Sequence, residues 1–216
     1  MPVIEKKIQR MLREVGKEKE SLVEMMHLLV RALEERDEYT RGHSERVAKL
    51  AVAIGRQLKL SPRQLEKLRR GALLHDIGKI GIRDALLYKH GNLTLDERAR
   101  MNQHPEKGHF LIVNTHLLWD IIPAVRNHHE NYDGTGYPDG LKGEAIPMMA
   151  RIVSLADYFD ALATKRPYKK PFTKARSIAL VKSMSGKKFD PKVVKAFLKI
   201  AGPFYRKCIQ PMNLLS

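Results

Sequence analysis

The sequence predicts an all-α fold, and three observations carry that prediction. Apolar residues recur at steps of three and four through most of the chain. No stretch alternates apolar and polar residues as a half-buried strand requires. The one long interruption, Asn131 to Pro147, holds four glycines and two prolines and reads as a loop. With 216 residues, 43% of them hydrophobic and 30% charged, the chain can bury a core, and collagenous, low-complexity and wholly disordered classes are excluded. The single cysteine, Cys208, excludes an internal disulfide framework and a Cys-rich zinc module and reads as a structural thiol.

The elements follow in order. Residues 1–22 form an N-terminal amphipathic helical segment or linker, with Ile4, Ile8, Met11 and Val15 on one face. That series is under two heptads long, and it either pairs with a second copy to make a homodimer or packs on the chain's own core. The main domain, residues 23–216, opens with the series Val23, Met26, Val30 and Leu33. A helix over Ser44 to Leu60 turns Val47, Leu50, Ile54 and Leu58 inward. Ser61-Pro62 supplies the N-cap and first turn of the helix carrying Leu65, Leu68, Ala72 and Leu73.

Thr94 and Glu97 make a capping box for a helix from Leu95 toward His104, where Pro105 disfavours helical geometry at the preceding residue. A short helix over Ala124 to Glu130 precedes the loop, and Met148 to Thr164 is strongly apolar and helical. Thr173 and Asp190-Pro191 start two further helices, and Trp119 reads as a packing residue. A loop as long as Asn131 to Pro147 inside a small domain is usually functional.

The net charge of +16 is unevenly placed: residues 160–216 carry 14 Lys and Arg against 2 Asp and Glu. Such a region attracts phosphates, nucleic acid or an acidic partner, or is a solvated face. No run of about 18 apolar residues exists and the first 20 residues are charged throughout, so the expectation is no membrane span, no signal peptide and a cytoplasmic protein.

Several of the nine histidines sit where Leu or Ala is usual. His43 shares the stripe of Val47, Leu50 and Ile54. His75 lies seven after Leu68 and Asp76 four after Ala72, which turns this pair toward the core. His104 ends the capped helix, His128 and His129 are adjacent, and Asp157 stands in the apolar run Ile152, Val153, Leu155, Ala156, Phe159. A carboxylate in such a run costs several kcal/mol unless it meets a cation or strong donors, about 2–7 kcal/mol for polar groups generally. Five inward imidazoles and two carboxylates together ask for a shared positive partner, which a pair of divalent metal ions satisfies, with Asp76 as the bridging candidate. The absence of thiolate ligands favours iron or manganese.

Three runs carry a family resemblance: residues 36–47 (RDEYTRGHSERV), residues 75–79 (HDIGK) and residues 128–138 (HHENYDGTGYP). Together they resemble the HD-GYP domain of the HD phosphohydrolase superfamily, over about residues 25 to 205. The resemblance implies a helical HD bundle with a Gly/Pro-rich loop at Gly136, Tyr137 and Pro138, and metal-dependent hydrolysis of cyclic di-GMP to linear pGpG or on to GMP. It implies metal ligation by His43, His75, Asp76, His104, His128, His129 and Asp157. Asp76 and Lys79 are the catalytic candidates, and Lys79, Arg166 and Lys169 the substrate contacts. The place four residues before His43, which in some members holds a Glu for a third metal, is Tyr39, so two metals are expected.

The resemblance also implies possible docking of a diguanylate cyclase or another signalling protein at the loop, and no nucleic acid polymer as partner. The alternatives are a cyclic dinucleotide sensor or interaction module with negligible turnover, and a hydrolase of another cyclic dinucleotide or nucleotide. Asp160, three after Asp157, is a candidate to orient a ligand imidazole. His27, His90, His109 and His116 match no ligand position.

Overall fold

The structure, a computed structural model, describes residues 21, 23–35, 42–89, 91–165 and 170–210. Helix α1 covers 23–35, followed by α2 (His43–Gln57), α3 (Pro62–Leu74), a 3-10 turn (Ile77–Gly81), α4 (Asp84–Leu87), α5 (Leu95–Met101) and α6 (His104–Ile112). After a second 3-10 turn (His116–Ile121) come α7 (Ile122–Asn127), the long loop with a 3-10 turn at Gly143–Ala145, α8 (Met148–Ala163), α9 (Lys174–Ser183) and α10 (Pro191–Phe204), which passes into a π turn (Tyr205–Ile209). The fold is all-α: among the described residues there is no strand, only an isolated bridge between Ser185 and Phe189.

Helix α2 is central because its apolar stripe is complete. Val47, Leu50 and Ile54 are buried against Leu68, Ala72 and Leu73 of α3, Val153 and Phe159 of α8, and Phe197 of α10. The Phe159 and Phe197 rings meet edge to face with centroids 4.9 Å apart, and each buried ring contributes about 2–3 kcal/mol by removal of apolar area from water. On α1, Met26 and Val30 are buried in the same core and Leu33 is buried beside it, as the spacing predicts, whereas Val23 is only half buried.

The local start signals act as read. Ser61 accepts from the Gln64 amide while the Gln64 side chain returns to the Ser61 amide, and Thr94 and Glu97 do the same for α5. Thr173 and Asp190 cap α9 and α10.

Four readings need correction. The helix begun at Leu95 stops at Met101, and His104 is not its end but the first residue of α6, with Pro105 in the first turn. A first-turn proline forfeits no hydrogen bond, so Pro105 starts a helix here rather than stopping one. Helix α3 ends at Leu74, so His75 and Asp76 occupy the junction between α3 and the 3-10 turn rather than a helix face. The short helix runs Ile122–Asn127, leaving His128 as its C-cap and His129 and Glu130 beyond it. Trp119 is about half exposed; its Nε1 donates to the Val113 carbonyl and its ring lies on His116.

Two glycine contacts fix how the functional segments meet. A Cβ on Gly78 would lie 1.8 Å from the His104 carbonyl oxygen and 2.4 Å from the Gly108 amide, so the 3-10 turn crosses α6 backbone to backbone. A Cβ on Gly136 would lie 2.2 Å from the Asn131 amide, so the loop folds back directly onto the residues after His129. Tyr39, Arg166 and Lys169, and the series Ile4, Ile8, Met11 and Val15, lie outside the described residues.

Candidate metal centre

Each candidate ligand comes from a position that local structure fixes. His43 opens α2, His75 and Asp76 link α3 to the 3-10 turn, His104 opens α6, His128 and His129 follow α7, and Asp157 lies in the middle of α8. All seven converge. The donor atoms of His43, His75 and Asp157 lie within 4.8 Å of one another, and so do those of His104, His128 and His129, and those of His75, Asp76 and His128.

The outer nitrogens of the rings are taken by acceptors. His75 Nδ1 donates to the Ala72 carbonyl at 2.7 Å, His104 Nδ1 to that of Met101 at 2.9 Å, and His128 Nδ1 to those of Ala124 and Val125, both at 3.0 Å. His43 Nδ1 faces Asp160 Oδ2 at 2.8 Å. A carbonyl can only accept, so the hydrogen bonds of His75, His104 and His128 place the ring proton on Nδ1 and leave the Nε2 lone pair pointing inward. Asp160 thus orients His43, as its spacing suggests, and is itself held by Arg46 Nε at 2.7 Å.

The inward atoms make sense only around positive charge. His104 Nε2 and His128 Nε2 stand 3.3 Å apart, two lone pairs facing each other. His75 Nε2 is buried with no hydrogen-bond partner among the described residues, a cost that native structures rarely tolerate without a ligand. Asp76 stands between the two groups. Its Oδ2 lies 3.4 Å from His75 Nε2 and 4.0 Å from His43 Nε2, while its Oδ1 lies 3.3 Å from His104 Nε2 and 3.9 Å from His128 Nε2. Neutral imidazoles, ionised carboxylates and an orphaned nitrogen are a donor set that fits divalent cations.

Proton affinities follow the same division. Burial holds the imidazoles of His75, His128 and His129 below the ordinary histidine range, His129 at about 3, with the neighbouring His104 adding to the effect there. Burial also opposes a proton on His43, but Asp157 and Asp160 outweigh it and raise that ring to about 9, so with no cation present its Nε2 carries a proton toward Asp157, 3.4 Å away, which a bound cation would replace. Burial acts against ionisation of Asp76 too, yet Lys79 and His75 hold it well below the usual carboxylate range; His43 does the same for Asp157. Both carboxylates are therefore anionic at neutral pH.

Lys79 Nζ lies 2.6 Å from Asp76 Oδ2 and lines the shallow opening above it with Leu33, Glu34, His43, Ser44 and Leu87. The Tyr137 ring stacks on His129, with centroids 4.9 Å apart and planes 21° from parallel, so the glycine-rich loop reaches the centre itself.

Comparison with known proteins places the chain in a family. The sequence pattern of the HD domain matches residues 27–193, most of the chain. The chain belongs to the HD domain family. A relative from Xanthomonas campestris pv. campestris, "Cyclic di-GMP phosphodiesterase response regulator RpfG", is 43% identical over 194 residues, covering 88% of this HD domain chain and 51% of the relative. A "Cyclic di-GMP phosphodiesterase" of Thermotoga maritima is 40% identical over 83% of this chain and 49% of its own. The chain thus spans about half the length of these curated relatives. Among solved structures, a cyclic GMP-AMP-specific phosphodiesterase of V. cholerae superposes with a TM-score of 0.66 at 22% identity, over 88% of this chain and 52% of that one, a likeness of fold.

Three buried charges escape a reading of the motifs. Arg46, three residues after His43, pairs with Asp160. Glu130 accepts from the Asp139 and Leu141 amides at 2.8 and 3.1 Å and so fastens the loop around Tyr137. Glu34 accepts from the Gly42 and Ser44 amides on either side of His43. A signal existed for Glu34: it falls four after Val30, on the inward stripe of α1.

Proposed function

We propose that this HD domain is a metal-dependent phosphodiesterase that opens cyclic di-GMP to linear pGpG, working in the cytoplasm with two iron or manganese ions per chain. The observation that carries the reading is Asp76, a buried carboxylate whose two oxygens face two separate histidine groups while Lys79 contacts one of them. His43, His75 and Asp157 would hold one cation and His104, His128 and His129 the other, with Asp76 shared. Bound there, divalent cations supply Lewis acidity and lower the pKa of water toward neutrality.

The chain's own groups do the rest. Asp76, His43 and His104 fix where the phosphodiester sits by fixing the centre beneath it. Lys79, ionised beside Asp76 at the opening, offers its ammonium to the phosphoryl oxygens as their charge grows, and the hydrogen-bonded imidazole tautomers need no rearrangement when substrate enters. Tyr137, stacked on His129 through one face, offers its opposite face as a flat wall on the loop side for a base. Arg166 and Lys169 are proposed contacts to the guanine or phosphate portions. The loop Gly136 to Pro138 is the proposed docking place for a diguanylate cyclase, and the series Ile4 to Val15 for a second copy. The names borne by the Xanthomonas and Thermotoga relatives support this substrate over others.

The test is turnover by protein loaded anaerobically with Fe(II) or Mn(II) against cyclic di-GMP, cyclic di-AMP and 3′,3′-cyclic GMP-AMP, with products separated by chromatography. Cyclic di-GMP is expected to be consumed fastest and to give pGpG. Lys79→Met should lower kcat about 100-fold, the scale of one lost transition-state donor. Loaded protein that leaves cyclic di-GMP intact, or prefers another cyclic dinucleotide, contradicts the proposal.

A further inference from the structure

Helix α2 begins without a cap of its own. Its N-cap residue is Gly42, held at φ +68°, a conformation glycine adopts without strain, and glycine has no side chain to accept from the exposed first-turn amides. Those amides flank His43. Glu34, at the end of α1, supplies what is missing: its Oε2 accepts from the Gly42 amide at 2.8 Å and its Oε1 from the Ser44 amide at 2.9 Å. The carboxylate is buried, at 7% exposure, and sits at the positive end of α2, where a negative charge is favoured. His43 is thus gripped twice. Asp160 and Arg46 set its ring through Nδ1, and Glu34 sets its backbone by a two-pronged clamp reaching across from another helix.

We propose that Glu34 is a positioning residue for His43, and that the seating of α1 on the domain therefore controls the metal affinity of the His43, His75 and Asp157 group. Glu34 touches none of the seven candidate ligand side chains by hydrogen bond; it acts through the main chain of residues 42–44. Met26 and Val30 anchor α1 in the core, and Leu33 immediately before Glu34 is buried too, so the clamp holds its place only while α1 stays docked. A shift of α1 along its axis pulls Gly42 and Ser44 with it and moves the imidazole between them. The inference rests on the proposed metal-binding reading, and the experiment separates the two.

Glu34→Ala removes both acceptors. Glu34→Gln keeps one oxygen acceptor and sets an amide donor against the other backbone donor. Ser61→Ala, which breaks the capping box of α3 away from the centre, controls for a general loss of helix stability. Three quantities are read: hydrogen exchange of the Gly42 and Ser44 amides, Co(II) affinity with its visible absorption, and kcat against KM.

The wild type is expected to protect both amides and bind cobalt in two steps. Glu34→Ala should lose the protection, weaken one step about 10–100-fold and lower kcat by a similar factor with KM within about threefold, as for other residues that orient ligands. Glu34→Gln should fall between, and Ser61→Ala should lower the melting temperature without changing either cobalt step. Wild-type cobalt binding in Glu34→Ala or Glu34→Gln overturns the inference while leaving the metal centre standing. Failure of the wild type to bind cobalt overturns the metal-binding reading instead. If Glu34→Ala does not fold, Glu34→Gln decides.

Discussion

Asp76→Ala is expected to abolish phosphodiesterase turnover, by about 1000-fold or more, and to bring the metal content of the protein below that of the wild type. The size follows from the five side chains that one carboxylate faces. Its Oδ2 faces His75, His43 and Lys79, and its Oδ1 faces His104 and His128. Removing it leaves those imidazoles without the anion between them and takes a carboxylate away from Lys79 at the opening. Divalent centres contribute several kcal/mol to charge stabilisation at a reacting phosphate, and each 1.36 kcal/mol lost is a factor of about ten in rate.

Asp76→Asn is the companion variant. It keeps the shape and one acceptor oxygen but not the charge, and the same loss is expected because a neutral amide does not balance two cations. Turnover assays on loaded protein, paired with metal analysis per chain, check both variants. Undiminished turnover in Asp76→Ala removes Asp76 from the site.

Gly78→Ala is expected to cost at least about 3 kcal/mol of stability, at the upper end of overpacking effects. The added methyl would stand 1.8 Å from the His104 carbonyl oxygen and 2.4 Å from the Gly108 amide. Neither is the end of a flexible side chain. Relief requires the 3-10 turn to lift from α6, and α6 cannot retreat freely, because Gly108 in turn lies against Val125, whose Cγ1 would be 2.7 Å from a Cβ there. The variant also injures function, since the turn carries Lys79 and the first residue of α6 is His104.

Chemical denaturation measures the loss. Lys199→Ala, on the exposed side of α10, is the control. That control is expected to keep its stability within about 0.5 kcal/mol, as exposed substitutions away from packed positions do. A Gly78→Ala protein as stable as the wild type contradicts the close crossing.

How much of this was legible follows from how local each signal is. The capping boxes at Ser61 and Thr94 and the caps at Thr173 and Asp190 are decided within four residues, and the structure has them as read. The inward placing of His43 was legible because it shares a stripe with Val47, Leu50 and Ile54, all buried. His75 and Asp76 do reach the interior, but by a break in the helix rather than along its face, which periodicity does not distinguish. Pro105 is ambiguous for a physical reason: the same ring that ends one helix is at home in the first turn of the next. Spacing to Val30 places Glu34 inward, but neither its clamp nor the Gly78 crossing was legible from spacing, because each depends on a partner from another element, the amides of α2 and Gly108 of α6.

Side chains from five separate parts of the fold are proposed to build two cation sites sharing Asp76. Anomalous diffraction from crystals of iron- or manganese-loaded protein, collected at the absorption edge of the metal, tests this most directly. Two peaks per chain are expected on either side of the Asp76 carboxylate, one among His43, His75 and Asp157 and the other among His104, His128 and His129. No peak there, or a single peak remote from Asp76, contradicts the claim.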